Sequence, residues 1–300
     1  MRENSLLLSE TFFMEAKLAY SCCGLSSPGY SRNSFYQDGW RVRGAASYFA
    51  TAASIYDQVN LVGIVGSDFP REHLDFWRNR SVNLDGLQIQ DGKTFHWHGR
   101  YHMDMNARDT LDTQLGVFGD FHPVVPEEYT HSPLVFLANI QPELQLEVLQ
   151  QMPRAQFTVL DTMELWINTS RAQLTEVMKQ VDVLLMSEEE VRQYTNQSSI
   201  LTAVRHFFTL GLKYVVVKLG SYGALLFGAD GTYFSAPSYP LEEVVDPTGA
   251  GDSFAGGFLA ISRRFSQMLR DAMLLMILSA RLCMGILLDL LPVRILVLVA

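Results

Sequence analysis

The run Val244-Val245-Asp246-Pro247-Thr248-Gly249-Ala250-Gly251-Asp252-Ser253-Phe254-Ala255-Gly256-Gly257-Phe258 decides how the rest of the chain is read. Behind it, Phe254, Phe258 and Ile261 recur at helical spacing, which predicts a glycine-rich bend opening a helix. The first N–H groups of a helix have no partner within it and point outward. Glycine bends tightly and carries no side chain to hold a ligand away. The tip therefore offers the amides of Gly249, Ala250 and Gly251 at the positive end of the helix dipole, a setting suited to phosphate oxygens. Asp252 stands beside them. As plain helix chemistry, an acid in the first turn complements the dipole. As catalytic chemistry, it is a general base next to an anion hole, the pairing that phosphoryl transfer needs. A plain helix start needs a cap residue rather than a Gly-Ala-Gly approach, which favours the catalytic reading.

The whole composition allows this. The chain has 300 residues, 48% hydrophobic and 18% charged, which is globular material for one large α/β domain. A net charge of −9 argues against gripping DNA or RNA by their phosphates. It leaves nucleotide binding open, because backbone amides and a bound cation supply positive field locally. Cys22, Cys23 and Cys283 make no disulfide framework and point to reduced thiols in a cytoplasm. Leu6-Leu7-Leu8 is too short for a signal-peptide core. The apolar tail from Ala272 is interrupted by Arg281, Asp289 and Arg294 and broken at Pro292, so it reads as a buried helix rather than a membrane span.

Along the chain, residues 1–43 show no clear period. "GAASYFATAASIY" has helical spacing, and "VNLVGIVGSDF" reads as a buried strand. Asp91-Gly92 lies between alternating runs and predicts a hairpin. Across it, Phe95, Trp97 and Tyr101 fall on one face by parity, and His96, His98, Arg100 and His102 on the other. No cysteine or acid at the usual spacing turns those histidines into a zinc site. From Leu134 the chain alternates apolar strands with helices: "LVFLANI", "FTVLDTM", "VDVLLMS" and "KYVVVKLG" are strands with helical segments between them. Strands that are apolar throughout argue a parallel sheet covered on both faces. Ligands of such sheets gather at the carboxyl ends of the strands, where Asn139 and Asp161 stand.

Asp246-Pro247-Thr248-Gly249-Ala250-Gly251-Asp252 closely resembles the signature of the ribokinase-like (PfkB) carbohydrate and nucleoside kinases. Pro247 is a tolerated departure, and no Gly-x-x-x-x-Gly-Lys-Ser/Thr motif points to a P-loop kinase instead. The resemblance runs from about Gly44 to Arg264. It implies an α/β, ribokinase-like fold: a mostly parallel central sheet, helices on both faces and a small β-stranded lid. The expected organisation is one domain over residues 1–300, with the lid hairpin near residues 84–115 and atypical ends at 1–43 and 265–300. The implied reaction is ATP-dependent phosphorylation of a sugar hydroxyl. Asp252 would be the base, and the amides of Gly249, Ala250 and Gly251 the anion hole.

The resemblance assigns further positions. Lys218 and Gly220 would lie near the ATP phosphates, with Gly223 turning the chain into the next strand. "LLMSEEEV" matches the family's Asn-x-x-Glu segment, so Glu190 would help hold Mg²⁺ through water, with Ser187 in the asparagine's place. Ser187 equally reads as a helix cap. Asp246 and Thr248 match positions that bind a monovalent cation, K⁺, in some relatives. "RGAASYFA" matches Gly-Gly-x-x-x-Asn, the segment that touches the acceptor; Gly44 is kept, Arg43 replaces a glycine and Tyr48 the asparagine. Tyr48 would stack on a sugar or base, or fill core. With Asn139, these are the expected acceptor contacts. Asp68 is read as structural rather than catalytic.

Both ends depart from the pattern. Relatives begin with an apolar strand at the sheet's centre, a glycine and an acid that grips the acceptor; residues 1–40 show no such arrangement. The expectation is a cytoplasmic enzyme acting on a small sugar, with no nucleic-acid or membrane partner and a homodimer formed through the lid. The rival readings are a nucleoside kinase, favoured by Tyr48, Phe95 and Trp97, and a non-catalytic nucleotide-binding relative with degenerate ends.

Overall fold

The computed structural model describes residues 44–101, 108–242, 244, 247–264 and 294–298. Helix α1 (Ala45–Ala53) leads into β1 (Gln58–Gly66), α2 (Arg71–Arg78) and β2 (Val82–Gln90). A separate antiparallel pair follows, β3 (His96–Tyr101) with β4 (Arg108–Gln114). Two 3-10 turns, Gly116–Asp120 and Glu127–His131, bring the chain back. Then come β5 (Leu134–Leu137), α3 (Pro142–Gln151), β6 (Phe157–Asp161), α4 (Glu164–Thr169), α5 (Arg171–Met178) and β7 (Val183–Ser187). Helices α6 (Glu188–Thr195) and α7 (Ile200–Phe208) precede β8 (Tyr214–Lys218), and β9 (Ala224–Gly228) and β10 (Tyr233–Ala236) end this run. Helix α8 (Ala250–Arg264) carries the glycine-rich tip, and β11 (Arg294–Leu298) is last.

Among the described residues nine strands form one sheet in the order β10-β9-β8-β7-β6-β5-β11-β1-β2. From β8 to β2 every neighbouring pair is parallel; β9 and β10 are added antiparallel at the edge. The apolar strands are explained by two covered faces. Val62, Val135, Leu137, Leu160, Leu184 and Val215 point into a core closed by residues of α3, α5, α6 and α7. Their chain neighbours Leu61, Phe136, Val159, Leu185 and Val216 point into the opposite core, closed by α1, α2 and α8. The alternation that a half-buried strand shows in sequence disappears when both sides are buried. Phe49 of α1 stacks on Phe136 at 4.0 Å between centroids. A Cβ at Gly256 would lie 2.5 Å from the Phe49 carbonyl, so the missing side chain lets α8 press against α1.

Two sequence expectations are corrected. Asp91-Gly92 is not a hairpin turn. β2 pairs in parallel with β1, and β3 belongs to the other sheet. The 91–94 turn is instead pinned to the exit of β1: Asp68 accepts the Thr94 N–H at 2.8 Å and its hydroxyl at 2.7 Å, and the Gly66 N–H donates to Thr94 Oγ1 at 3.0 Å. In the β3–β4 pair the register shifts between His98 and Gly99, with Leu111 the extra residue on β4; His102 lies outside the described residues. Finally, the tail's last described stretch is a strand. Arg294–Leu298 pairs in parallel with β1 on one side and β5 on the other. A short apolar run cannot be told from a helix by period alone, and Pro292 ends any helix before it. The sheet's centre is therefore filled from the C-terminal side, not left open. Residues 1–43 and 265–293 lie outside the described residues. Among those described, no helix is long and apolar enough to cross a membrane.

Candidate active site

The parallel strands put their carboxyl ends on one rim. β6 ends at Asp161, β7 at Ser187 and β8 at Lys218, with Ser187 and Lys218 paired in register. The start of α8 lies against this rim: a Cβ built on Gly251 would sit 3.3 Å from Lys218 Nζ. Asp252 follows in the first turn of α8, partly buried. The expected base, the glycine tip and Lys218 are thus brought together.

At the tip, Gly249 has φ +78°, a backbone conformation that disfavours side-chain-bearing residues. A Cβ there would also strike the Tyr48 ring, 2.2–2.4 Å from three of its atoms. Tyr48 therefore lies flat against the glycine turn. It reaches that place from α1, whose first turn is closed by the Gly44 carbonyl accepting the Ser47 N–H at 3.0 Å. The Ala250 N–H already donates to the Pro247 carbonyl at 3.1 Å, inside the turn. That bond leaves Gly249 and Gly251 as the amides better placed for an incoming anion.

Lys218 is the electrostatic centre. Its ammonium donates to both carboxylate oxygens of Asp161, at 2.9 and 3.1 Å. Side-chain exposure is 19% for Lys218 and 4% for Asp161. Burial alone would lower the lysine's pKa, but Asp161, with Glu190 and Asp252 beyond it, holds it above the usual value. Three carboxylates facing one ammonium leave the site net negative. A polyanionic phosphate would then need a cation to accompany it.

Glu190 and Ser187 close α6 with a capping box. Ser187 Oγ accepts the Glu190 N–H at 3.2 Å, and Glu190 Oε2 accepts the Ser187 N–H at 2.7 Å. The cap reading of Ser187 is the observed one, and it fixes Glu190 beside Lys218. Among the described residues no cluster of three or more His, Cys, Asp or Glu could cage a metal. That donor set does not contradict Mg²⁺, which keeps several waters and typically takes one or two carboxylates plus substrate phosphates.

The remaining positions are more scattered. Thr248 is partly buried in the turn before α8. Gly220 opens the 3-10 turn after β8, and Gly223 ends it before β9. Asn139 follows β5, but its Oδ1 accepts the indole N–H of Trp166 at 3.1 Å, so that oxygen is engaged within the fold. Asp246 lies outside the described residues, and the K⁺ expectation that rests on it lies there too. The pairing of Lys218 with Asp161 was missed from sequence. Its only trace is an acid and a lysine, each closing an apolar strand.

The model for the pfkB family carbohydrate kinases matches residues 44–272. A cytidine kinase of Thermococcus kodakarensis is 34% identical over 234 residues, covering 75% of this chain and 82% of that protein. A ribokinase-like protein of Escherichia coli, solved in complex with ATP and Mg²⁺, superposes with a TM-score of 0.67 at 22% identity, covering 84% of each chain. A nucleoside kinase of Methanocaldococcus jannaschii does so with a TM-score of 0.63 at 20% identity, covering 78% of this chain and 76% of that one. The last two likenesses bear on the fold.

Proposed function

From the premise that the chain belongs to the pfkB family of carbohydrate kinases, whose members transfer phosphate to hydroxyl groups, we propose that it phosphorylates a ribose-type hydroxyl of a nucleoside, with ATP as donor. The observation that carries this reading is Asp252 in the first turn of α8, directly behind Gly249 and Gly251 and within the field of Lys218.

Asp252 takes the proton of the acceptor hydroxyl. The acceptor oxygen forms its bond to the γ-phosphorus as the bond to the ADP oxygen breaks, and the proton stays on the Asp252 carboxylate. The Gly249 and Gly251 N–H groups meet the charge on the transferring phosphoryl oxygens, each such preorganised donor being worth roughly 10²–10³ in rate. Glu190, held by Ser187 in the capping box, is the residue that would hold Mg²⁺ through water. When bound, the ion would supply charge that neutralises the phosphates. Tyr48, flat against Gly249, forms one wall of the acceptor site. The β3–β4 unit is the lid that excludes water from it.

A nucleoside is preferred over a free sugar for two reasons. Tyr48 puts an aromatic ring where the family pattern has asparagine, and rings stack on bases. The cytidine kinase likeness points the same way. The alternative, a free sugar or sugar acid, is favoured by a 2-dehydro-3-deoxygluconokinase of Thermoproteus tenax, 26% identical over 238 residues. An ADP-release assay on cytidine, other nucleosides, free pentoses and sugar acids separates them. The expected result is kcat/KM at least about tenfold higher for a nucleoside, a stacking contribution of about 1.4 kcal/mol. Turnover confined to free sugars reverses the assignment.

A further inference from the structure

Resting on that phosphotransferase reading, we propose that Asp161 is a positioning residue whose task is to hold the Lys218 ammonium at the tip of α8, where it meets the terminal phosphate of the nucleotide.

The two residues close strands that are not neighbours. β7 lies between β6 and β8, so their backbones are two strand spacings apart, about 9.5 Å. Only a long side chain crosses that gap, and Lys218 does so to reach Asp161. Asp161 is itself fixed. Its Oδ1 accepts the Thr162 N–H at 3.0 Å, and its carbonyl accepts from Gln145 Nε2 at 3.4 Å. Gln145 Nε2 also donates to the Ala138 carbonyl at 2.8 Å, tying the end of β6 to the end of β5.

The geometry distributes the donors. An ammonium has three N–H groups. Two are directed at Asp161 Oδ1 and Oδ2. The third remains for a ligand, and the nitrogen lies 3.3 Å from the place of a Gly251 Cβ, beside the amides of the tip. A free lysine searches many rotamers before it meets a phosphate; one gripped by a buried carboxylate has lost that freedom beforehand. Both Asp161 oxygens are taken up by Lys218, so the residue is poorly placed to act as a base or to grip an acceptor hydroxyl. A purely structural role is the weaker explanation, because replacing a buried ion pair by apolar residues is often neutral or stabilising.

The full-length chain is titrated with ATP and, separately, with ADP, each with Mg²⁺, by calorimetry. Lys218→Met, Asp161→Asn and Asp161→Glu are measured alongside the wild type, with thermal unfolding as a control. Removing a charged partner should weaken ATP by about tenfold or more in Lys218→Met, and ADP by less than about threefold. Asp161→Asn leaves the Lys218 charge without its partner and should lower the melting temperature, but measured where it is still fully folded it should show the same selective loss at smaller size, and Asp161→Glu should recover part of it. Equal loss of both nucleotides, or no loss in Asp161→Asn, overturns the proposal. So does a loss seen only where the variant is no longer fully folded. If the wild type transfers phosphate and the variants match it, the pairing fails while the kinase reading stands. If the wild type binds neither nucleotide, both fail.

Discussion

Replacing Gly249 by alanine adds a single carbon at the point where the turn before α8 meets the Tyr48 ring, three residues before Asp252. At φ +78° a residue with a Cβ costs about 1–2 kcal/mol relative to glycine. The new carbon would sit 2.2–2.4 Å from Tyr48 ring atoms, and the ring, backed by α1, must move. Overpacking of that kind costs about 1–3 kcal/mol. The sum is roughly 2–5 kcal/mol, a large share of the about 5–15 kcal/mol that holds a typical domain together. Tyr48→Ala removes the obstacle without changing φ. In that background Gly249→Ala should cost only the backbone part, so the cycle should show coupling of about 1–3 kcal/mol. Urea unfolding of the four proteins, followed by circular dichroism, gives the numbers. Turnover should fall in both Gly249→Ala proteins, because the amides of the tip move with the turn. If Gly249→Ala lies within about 0.5 kcal/mol of its parent in both backgrounds, the ring does not rest on the turn and the reasoning fails.

Three further outcomes follow from the same contacts. Asp68→Asn weakens the pin between β1 and the 91–94 turn and should cost about 1–2 kcal/mol at neutral pH. Burial would raise the Asp68 pKa, but the Thr94 hydroxyl and N–H and the nearby Lys93 bring it below the usual carboxylate value. Its contribution is therefore complete above the unfolded pKa, about 3.9, and is lost as pH falls through the lower folded value. Urea midpoints of the two proteins should differ at pH 6 and draw together as pH falls below the unfolded carboxylate pKa; a gap that stays constant as the solution is acidified contradicts this. Ser187→Ala removes the capping box of α6 and should cost about 1 kcal/mol. It should also raise the Mg²⁺ concentration needed for half-maximal turnover; unchanged Mg²⁺ dependence would remove Glu190 from that task. Deleting Arg294–Leu298 withdraws a strand bonded on both sides, β1 and β5, and should abolish cooperative thermal unfolding. A truncated chain that melts like the wild type would show that the sheet does not need β11.

The glycine-rich tip, its helix and the parallel strands were legible because each rests on local chemistry. Gly249-Ala250-Gly251-Asp252 signals a helix start without any partner, and runs such as "VLLMS" signal strands buried on both sides. Ser187 and Glu190 were legible for the same reason, being three residues apart on one cap. What was hidden depends on pieces distant in sequence. Asp161 and Lys218 are 57 positions apart, and only the strand order makes them partners. Tyr48 and Gly249 meet because α8 packs on α1, which no local period announces. Asp91-Gly92 misled because a turn that links two sheets uses the same residues as a hairpin; Asp68 and Thr94 decide between them. The tail misled because Ile, Leu and Val serve a central strand and a buried helix equally well.

The central claim is that Asp252 draws the proton from the acceptor while the tip of α8 holds the phosphoryl group. Asp252→Asn keeps the size of the side chain and removes its basicity. Turnover on the preferred acceptor, read by ADP release, should fall by about 10²–10⁴-fold, with calorimetric affinity for ATP and Mg²⁺ retained within a few-fold. Turnover equal to the wild type would contradict the account.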